Sequence, residues 1–261
     1  MNSALVGTAP RDAISLQSIA GRIGLLPALL VLLVAGMSAV DAQFYGITNV
    51  LNILRNASLL AIVACGQALV IIAGGFDLSV GAVVALASVV TAKTMAVTAA
   101  AFPGANVLII ASGIVAGLGC GVVVGLINGF CVAKLKVSGF VVTLGTMSAT
   151  AGVGLMITNG IPVYGMPEIF VKSFGRGQAF GLPTAAHVAL IVILVMVFAQ
   201  RRTLFGRYVY AIGGNVDAAV VSGVTIQRHI VGTYVVSSVL AALTGILLTA
   251  QVGSGQASFG G

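Results

Sequence analysis

Gly74-Gly75-Phe76-Asp77-Leu78-Ser79-Val80-Gly81 separates two long apolar runs. Asp77 is the only acidic residue between Asp41 and Glu168, in a chain that is 59% hydrophobic. An ionisable group at the centre of a membrane helix costs about 2.5–3.5 kcal/mol, so its presence asks for a role. The flanking glycines permit a backbone break, which lipid tolerates only where protein or a water-filled cavity satisfies the freed groups. One reading is a broken helix opening onto a polar pathway. The other is an N-cap: Asp77 starts a helix at Leu78, its carboxylate accepting from the N–H of Ser79 or Val80. Both readings stay open on the residues alone.

Outward from this stretch, composition sets the fold class. A mean hydropathy of +1.17, only 7% charged residues and repeated apolar runs predict an all-α polytopic membrane protein. Seven candidate spans lie at roughly 23–40, 57–73, 80–101, 107–133, 137–158, 186–199 and 230–250. The second, at about 26 Å as a helix, and the still shorter sixth are marginal in length. The first reads as a retained anchor, with a signal peptide as its alternative. Residues 1–261 are read as a single transmembrane domain, with a cytoplasmic tail over 1–22 and a cytoplasmic loop over 201–229.

The formal net charge of +7 does not imply nucleic acid, because the basic residues fall mainly between apolar runs. With the N-terminus inside, Arg11, Arg22, Lys134, Lys136, Arg201, Arg202, Arg207 and Arg228 are cytoplasmic, against Arg55, Lys93, Lys172 and Arg176 outside. The positive-inside rule favours that orientation. Cys65, Cys120 and Cys131 show no metal-ligand spacing and read as small buried residues. No metal or cofactor is expected. His187 and His229 sit at span edges without a nucleophile or metal constellation, which argues against an intramembrane enzyme.

Gly113, Gly117, Gly121, Gly125 and Gly129 recur every fourth residue in the fourth span. Such a stripe lets a second helix backbone approach closely, so it is assigned to helix packing. Asn128 beside it either bonds a neighbouring helix or lines a path. Asn159–Ala185, rich in Pro and Gly, is expected to form an external cap or short surface helix. Inside, Gly213-Gly214-Asn215 reads as a turn, with Asn215 capping a short helix from Val216 to Ser222 that ends at Gly223.

These motifs, in this order, resemble the permease subunits of bacterial ATP-driven sugar importers of the ribose, xylose and galactose type. The likeness runs from about Asn49 to the end. It is strongest in Gly66-Gln67, Gly74 to Gly81, Thr143-Leu144-Gly145-Thr146-Met147 and Ala211 to Gly223. Phe76 is a mild variation on the family's Gly-Gly-Ile-Asp-Leu-Ser-Val-Gly. Ser138-Gly139-Phe140 stands where Pro-Pro-Phe is common, and Ala151 where an Arg is common. After Gly253-Ser254-Gly255-Gln256 the family normally continues into further helices, so the chain is expected to be a truncated form.

The resemblance implies a transport subunit for a monosaccharide in the bacterial inner membrane. Such a subunit is expected to work with a separate ATPase subunit, an extracellular sugar-binding protein and a second permease, identical or not. Gly213, Gly214, Asn215, Ala218, Ala219 and Gly223 match the family's coupling helix, which docks into the ATPase. The chain has no Gly-x-x-x-x-Gly-Lys-Ser/Thr of its own. Pathway or helix-break candidates are Gln67, Asp77, Ser79, Asn128 and Thr143, four of them on polarity alone. The alternatives are a branched-chain amino-acid permease, which favours Asn-Leu-Ala where this chain has Asp77-Leu78-Ser79, and an ion-coupled carrier using Asp77.

Overall fold

The computed structural model describes residues 25–41 and 43–260; the tail expected over 1–22 lies outside them. The chain divides into two units, Met1–Val50 and Leu51–Gly261. In the first, α1 (Leu25–Val40) is an apolar helix of 16 residues with Leu29 to Leu33 exposed. It is followed by a turn in which the Gln43 N–H donates to Asp41 Oδ1 at 2.8 Å.

The remaining long helices are α2 (Ile47–Ile72), α3 (Val80–Ala101), α4 (Asn106–Ala133) and α5 (Gly139–Thr158). A short turn α6 (Glu168–Phe170) continues as a π-helical turn, Val171–Gly175. Next come a two-residue hairpin, β1 (Gln178–Ala179) and β2 (Leu182–Pro183), then α7 (Thr184–Arg202). Finally α8 (Leu204–Gly214) and α9 (Val216–Val221) lead into α10 (Ile226–Val252).

Six of these helices are long and apolar enough to cross a membrane: α2, α3, α4, α5, α7 and α10. Of the seven expected spans, the first corresponds to the shorter α1. The two spans expected to be marginal are longer than their apolar runs. In α2 a polar first half containing Asn49, Asn52, Arg55 and Asn56 is helical as well, giving 26 residues. In α7 the helix extends through Arg201 and Arg202. A hydropathy run marks the apolar stretch, whereas backbone hydrogen bonds carry the helix past it.

Helices α3 and α10 form the interior. Each is small or apolar around much of its circumference, the pattern of an enclosed helix. Val83, Ala87, Val89, Ala92 and Met95 of α3 are buried, as are Ala241, Ala242, Ile246 and Ala250 of α10. By contrast, α5 and α7 leave Val141, Leu155, Met156, Ile191, Leu194 and Phe198 exposed, suiting a lipid-facing position.

The glycine stripe of α4 is buried along its length. A Cβ on Gly121 would lie 2.7 Å from Ala242 Cβ, on Gly125 2.6 Å from Val235 Cα, and on Gly129 2.7 Å from Val231 Cα, all on α10. Gly113 and Gly117 instead face Met95 and Thr91 of α3, with Ile246 also beside Gly117. A four-residue spacing drifts about 40° per step on a 3.6-residue helix, so one stripe serves two neighbours.

At one end of the bundle lie the connections 73–79, 134–138 and 203–225. At the other, Val163 and Gly255 exchange two backbone hydrogen bonds of 2.8 and 2.9 Å, and the π-helical turn packs on Ala250. The expected cap between Asn159 and Ala185 contains the short helix, and also the hairpin. Its turn places Phe180 and Gly181 at φ 51° and 76°, the two positive values of a type I′ turn. Lys172 and Glu168 form an exposed ion pair there at 2.7 Å. The three cysteines are half-buried rather than buried.

Candidate functional site

The α2–α3 connection folds back into the bundle. Gly74 adopts φ 78°, the Gly74 N–H donates to the Ile71 carbonyl and the Gly75 N–H to the Val70 carbonyl, both at 2.9 Å. This is a glycine-terminated helix end, where a left-handed residue frees the chain to turn. Gly75 to Ser79 then run without helical structure until α3 begins. The interruption is thus a re-entrant segment between two helices, not a break within one.

Five side chains chosen from sequence meet on that segment. Asp77 is 4% exposed. Its Oδ1 accepts from the Ser79 N–H at 3.0 Å and the Ser79 hydroxyl at 2.6 Å, and its Oδ2 from the Ser237 hydroxyl at 3.1 Å. Asn128 Nδ2 donates to Ser79 Oγ at 2.9 Å. Gln67 Nε2 donates to the Asp77 carbonyl at 2.6 Å. The Leu78 N–H donates to Thr143 Oγ1 at 3.0 Å, while that hydroxyl donates to the Gly139 carbonyl at 2.7 Å. Two backbone groups left free by the interruption, the Asp77 carbonyl and the Leu78 N–H, are thus met by side chains from α2 and α5.

The capping reading needs one correction. Asp77 accepts from the Ser79 N–H, but the helix starts at Val80 and Ser79 occupies the cap position without capping it through its own side chain. The Ser79 hydroxyl is turned to the carboxylate instead. Just ahead of a 22-residue helix, Asp77 also faces the positive end of its dipole.

Two contributors were not picked out from sequence. Ser237 of α10 supplies the donor to Oδ2. Tyr234, 1% exposed, donates its hydroxyl to the Phe76 carbonyl at 3.0 Å. Its oxygen lies so close to Gly75 and Gly139 that a Cβ would come within 3.0 and 2.5 Å of it. Tyr234, Ser237 and Ser238 recur at i, i+3 and i+4, one polar face on an otherwise apolar helix, which was the available signal. None of the five sequence candidates lines the adjacent cleft. That space, about 580 Å³, opens at the bundle end among Gly75, Phe76, Lys136, Val216, Val220 and Tyr234.

The six coupling candidates are placed differently from one another. Gly213 and Gly214 close helix α8, an element not expected, so the turn begins only at Asn215. Asn215 caps α9, its Oδ1 accepting from the Ala218 N–H at 2.9 Å, and Gly223 at φ 79° ends the element. Ala218 is exposed. Ala219 is turned inward and buried, so it does not belong to an outer docking face.

Residues 49–261 match the family model described as branched-chain amino acid transport system / permease component. The chain belongs to this permease family. The ribose import permease protein of Haemophilus influenzae is 34% identical over 234 residues, 88% of this chain and 70% of that relative. The ribose import permease protein of Escherichia coli K12 is 36% identical over 234 residues with the same coverage. The galactose/methyl galactoside import permease protein of H. influenzae is 34% identical over 241 residues, 89% of this chain and 72% of the relative. No solved structure gives a significant match. Membership accounts for the six long apolar helices: this permease is a multi-pass membrane protein.

Proposed function

We propose that this permease forms the membrane path of an ATP-driven monosaccharide importer. It would work with a separate ATPase subunit, an extracellular sugar-binding protein and a second permease subunit. The observation that carries the reading is the similarity to sugar permeases over 88% of the chain. The family description names branched-chain amino acids, but Asp77 at the re-entrant segment and the sugar-named relatives favour sugar.

In this reading the N-terminus is cytoplasmic, and the bundle end holding Lys134, Lys136, Arg207 and Arg228 faces the ATPase. Helix α9 is the docking element. Its exposed residues are Val216, Asp217, Ala218, Val220 and Val221, of which Val216 and Val220 line the cleft and Val221 is 90% exposed. Gln67, Asp77, Ser79, Asn128 and Thr143 hold the re-entrant segment in shape rather than touch sugar; their hydrogen bonds run to one another, to Ser237 and to backbone. An ion-coupled carrier finds no support in the names of the relatives.

Uptake tests the substrate class. The permease gene is expressed with genes for an ATPase and a sugar-binding protein from the same genome in cells lacking their own sugar permeases. Radiolabelled ribose, galactose, allose and leucine are then compared. Saturable, ATP-dependent uptake of a sugar is expected. Uptake of leucine alone would move the assignment to the amino-acid branch.

A further inference from the structure

The end of α8 packs tightly on the backbone at the end of α2, just ahead of the re-entrant segment. A Cβ on Gly213 would overlap the carbonyl oxygen of Ile72, the last residue of α2. Two residues later comes Gly74, whose positive φ turns the chain inward. On its other side the segment is gripped by Tyr234, hydrogen-bonded to the Phe76 carbonyl, and by Gly139, where a Cβ would come within 3.1 Å of the same carbonyl oxygen. Val216 and Val220 of α9 line the cleft whose wall is Gly74 to Phe76. The segment carrying Asp77 therefore lies between the α8–α9 hairpin and the α5–α10 face. Backbone-to-backbone contact has little slack, because neither side offers a side chain that rotates away.

We propose that Gly213 is the transmission point between the docking element and the Asp77 segment. Displacement of α8–α9 is delivered to the Ile72 carbonyl and re-aims Gly74 to Ser79, with Tyr234 as the fixed anchor on the opposite side. This rests on the reading of α9 as the ATPase-docking helix. Gly213 acts here as a positioning residue and touches no substrate.

Phe76, 64% exposed, offers a reporter. In a version with the native cysteines replaced, Phe76→Cys is labelled with a maleimide in membranes containing the co-expressed ATPase, without nucleotide and with ATP plus vanadate. The labelling rate should change at least threefold between the two states. Gly213→Ala should abolish that change while the ATPase still co-purifies. Gly119→Ala, where a Cβ meets nothing within 4 Å, should preserve it. Tyr234→Phe, which removes the anchor, should label fast in both states.

A rate at position 76 indifferent to nucleotide with Gly213 intact overturns the proposal, even if Gly213→Ala fails to insert. So does a nucleotide response that persists in Gly213→Ala. Val221→Arg separates this from the docking reading. Loss of ATPase co-purification in Val221→Arg upholds the docking role, and an unresponsive position 76 in the protein with Val221 and Gly213 intact then removes only the transmission role. Retained co-purification removes the docking role, and the transmission role with it.

Discussion

Asp77 accepts three hydrogen bonds while almost wholly buried, so substitutions should divide by whether they keep acceptors in place. Asp77→Asn retains one carbonyl oxygen for Ser79 and presents an amide that can donate to Ser237 Oγ. Asp77→Leu removes the acceptor for the Ser79 N–H and for the hydroxyl protons of Ser79 and Ser237, at about 1–3 kcal/mol for each buried group left without one. Uptake should vanish in the leucine variant and persist in part in the asparagine variant, with detergent melting temperature falling in the same order. Normal transport by Asp77→Leu would remove the functional role. Thr143→Val should lower the melting temperature by removing the acceptor for the Leu78 N–H, and Thr143→Ser should restore it. At this scale the unusual residue was visible in sequence, since one carboxylate in an apolar stretch stands out. Its partner Ser237, and Tyr234 on the neighbouring Phe76 carbonyl, were marked only by their shared face on α10, a weak signal because Ser and Tyr are common within membrane helices.

Among the elements, α4 depends on the absence of side chains. A Cβ on Gly125 would meet Val235 Cα at 2.6 Å and the Tyr234 carbonyl at 2.8 Å, both on the backbone of α10. Backbone cannot rotate aside, so Gly125→Ala should separate the helices. Overpacking of this kind costs about 1–3 kcal/mol. Gly119→Ala, off the stripe, should leave stability unchanged or slightly higher, since Ala favours helix over Gly. Melting of both variants in one detergent checks the pair, and equal loss at 119 and 125 would contradict the packing role. The stripe was legible because four-residue periodicity is local. Helix α8 was not, since Gly213-Gly214 carries a turn signature that the helix overrides while packing against Ile72. The inward face of Ala219 was equally hidden: apart from Asp217 the six-residue helix is all Ala and Val, too short and uniform to mark its buried side.

The orientation of the Leu51–Gly261 bundle is testable by thiol labelling. In a version with the native cysteines replaced, Lys172→Cys should react with an impermeant maleimide from outside intact cells, and Arg207→Cys only after permeabilisation. The reverse would invert the permease and place α9 outside, away from any ATPase. By itself, the sequence determined the membrane class, the approximate spans, the glycine stripe, the Asn215 cap and the family. Each of these is written in composition, in short-range periodicity or in a local motif. Only the tertiary structure decided that Gln67, Asp77, Ser79, Asn128 and Thr143 meet on one re-entrant segment, that Tyr234 and Ser237 complete it, and that Gly213 rests on Ile72. In a soluble helix the polar face points to water and so names the buried one. Here lipid and protein interior are both apolar, so hydropathy cannot tell which face of a helix meets its neighbour. Packing must decide it.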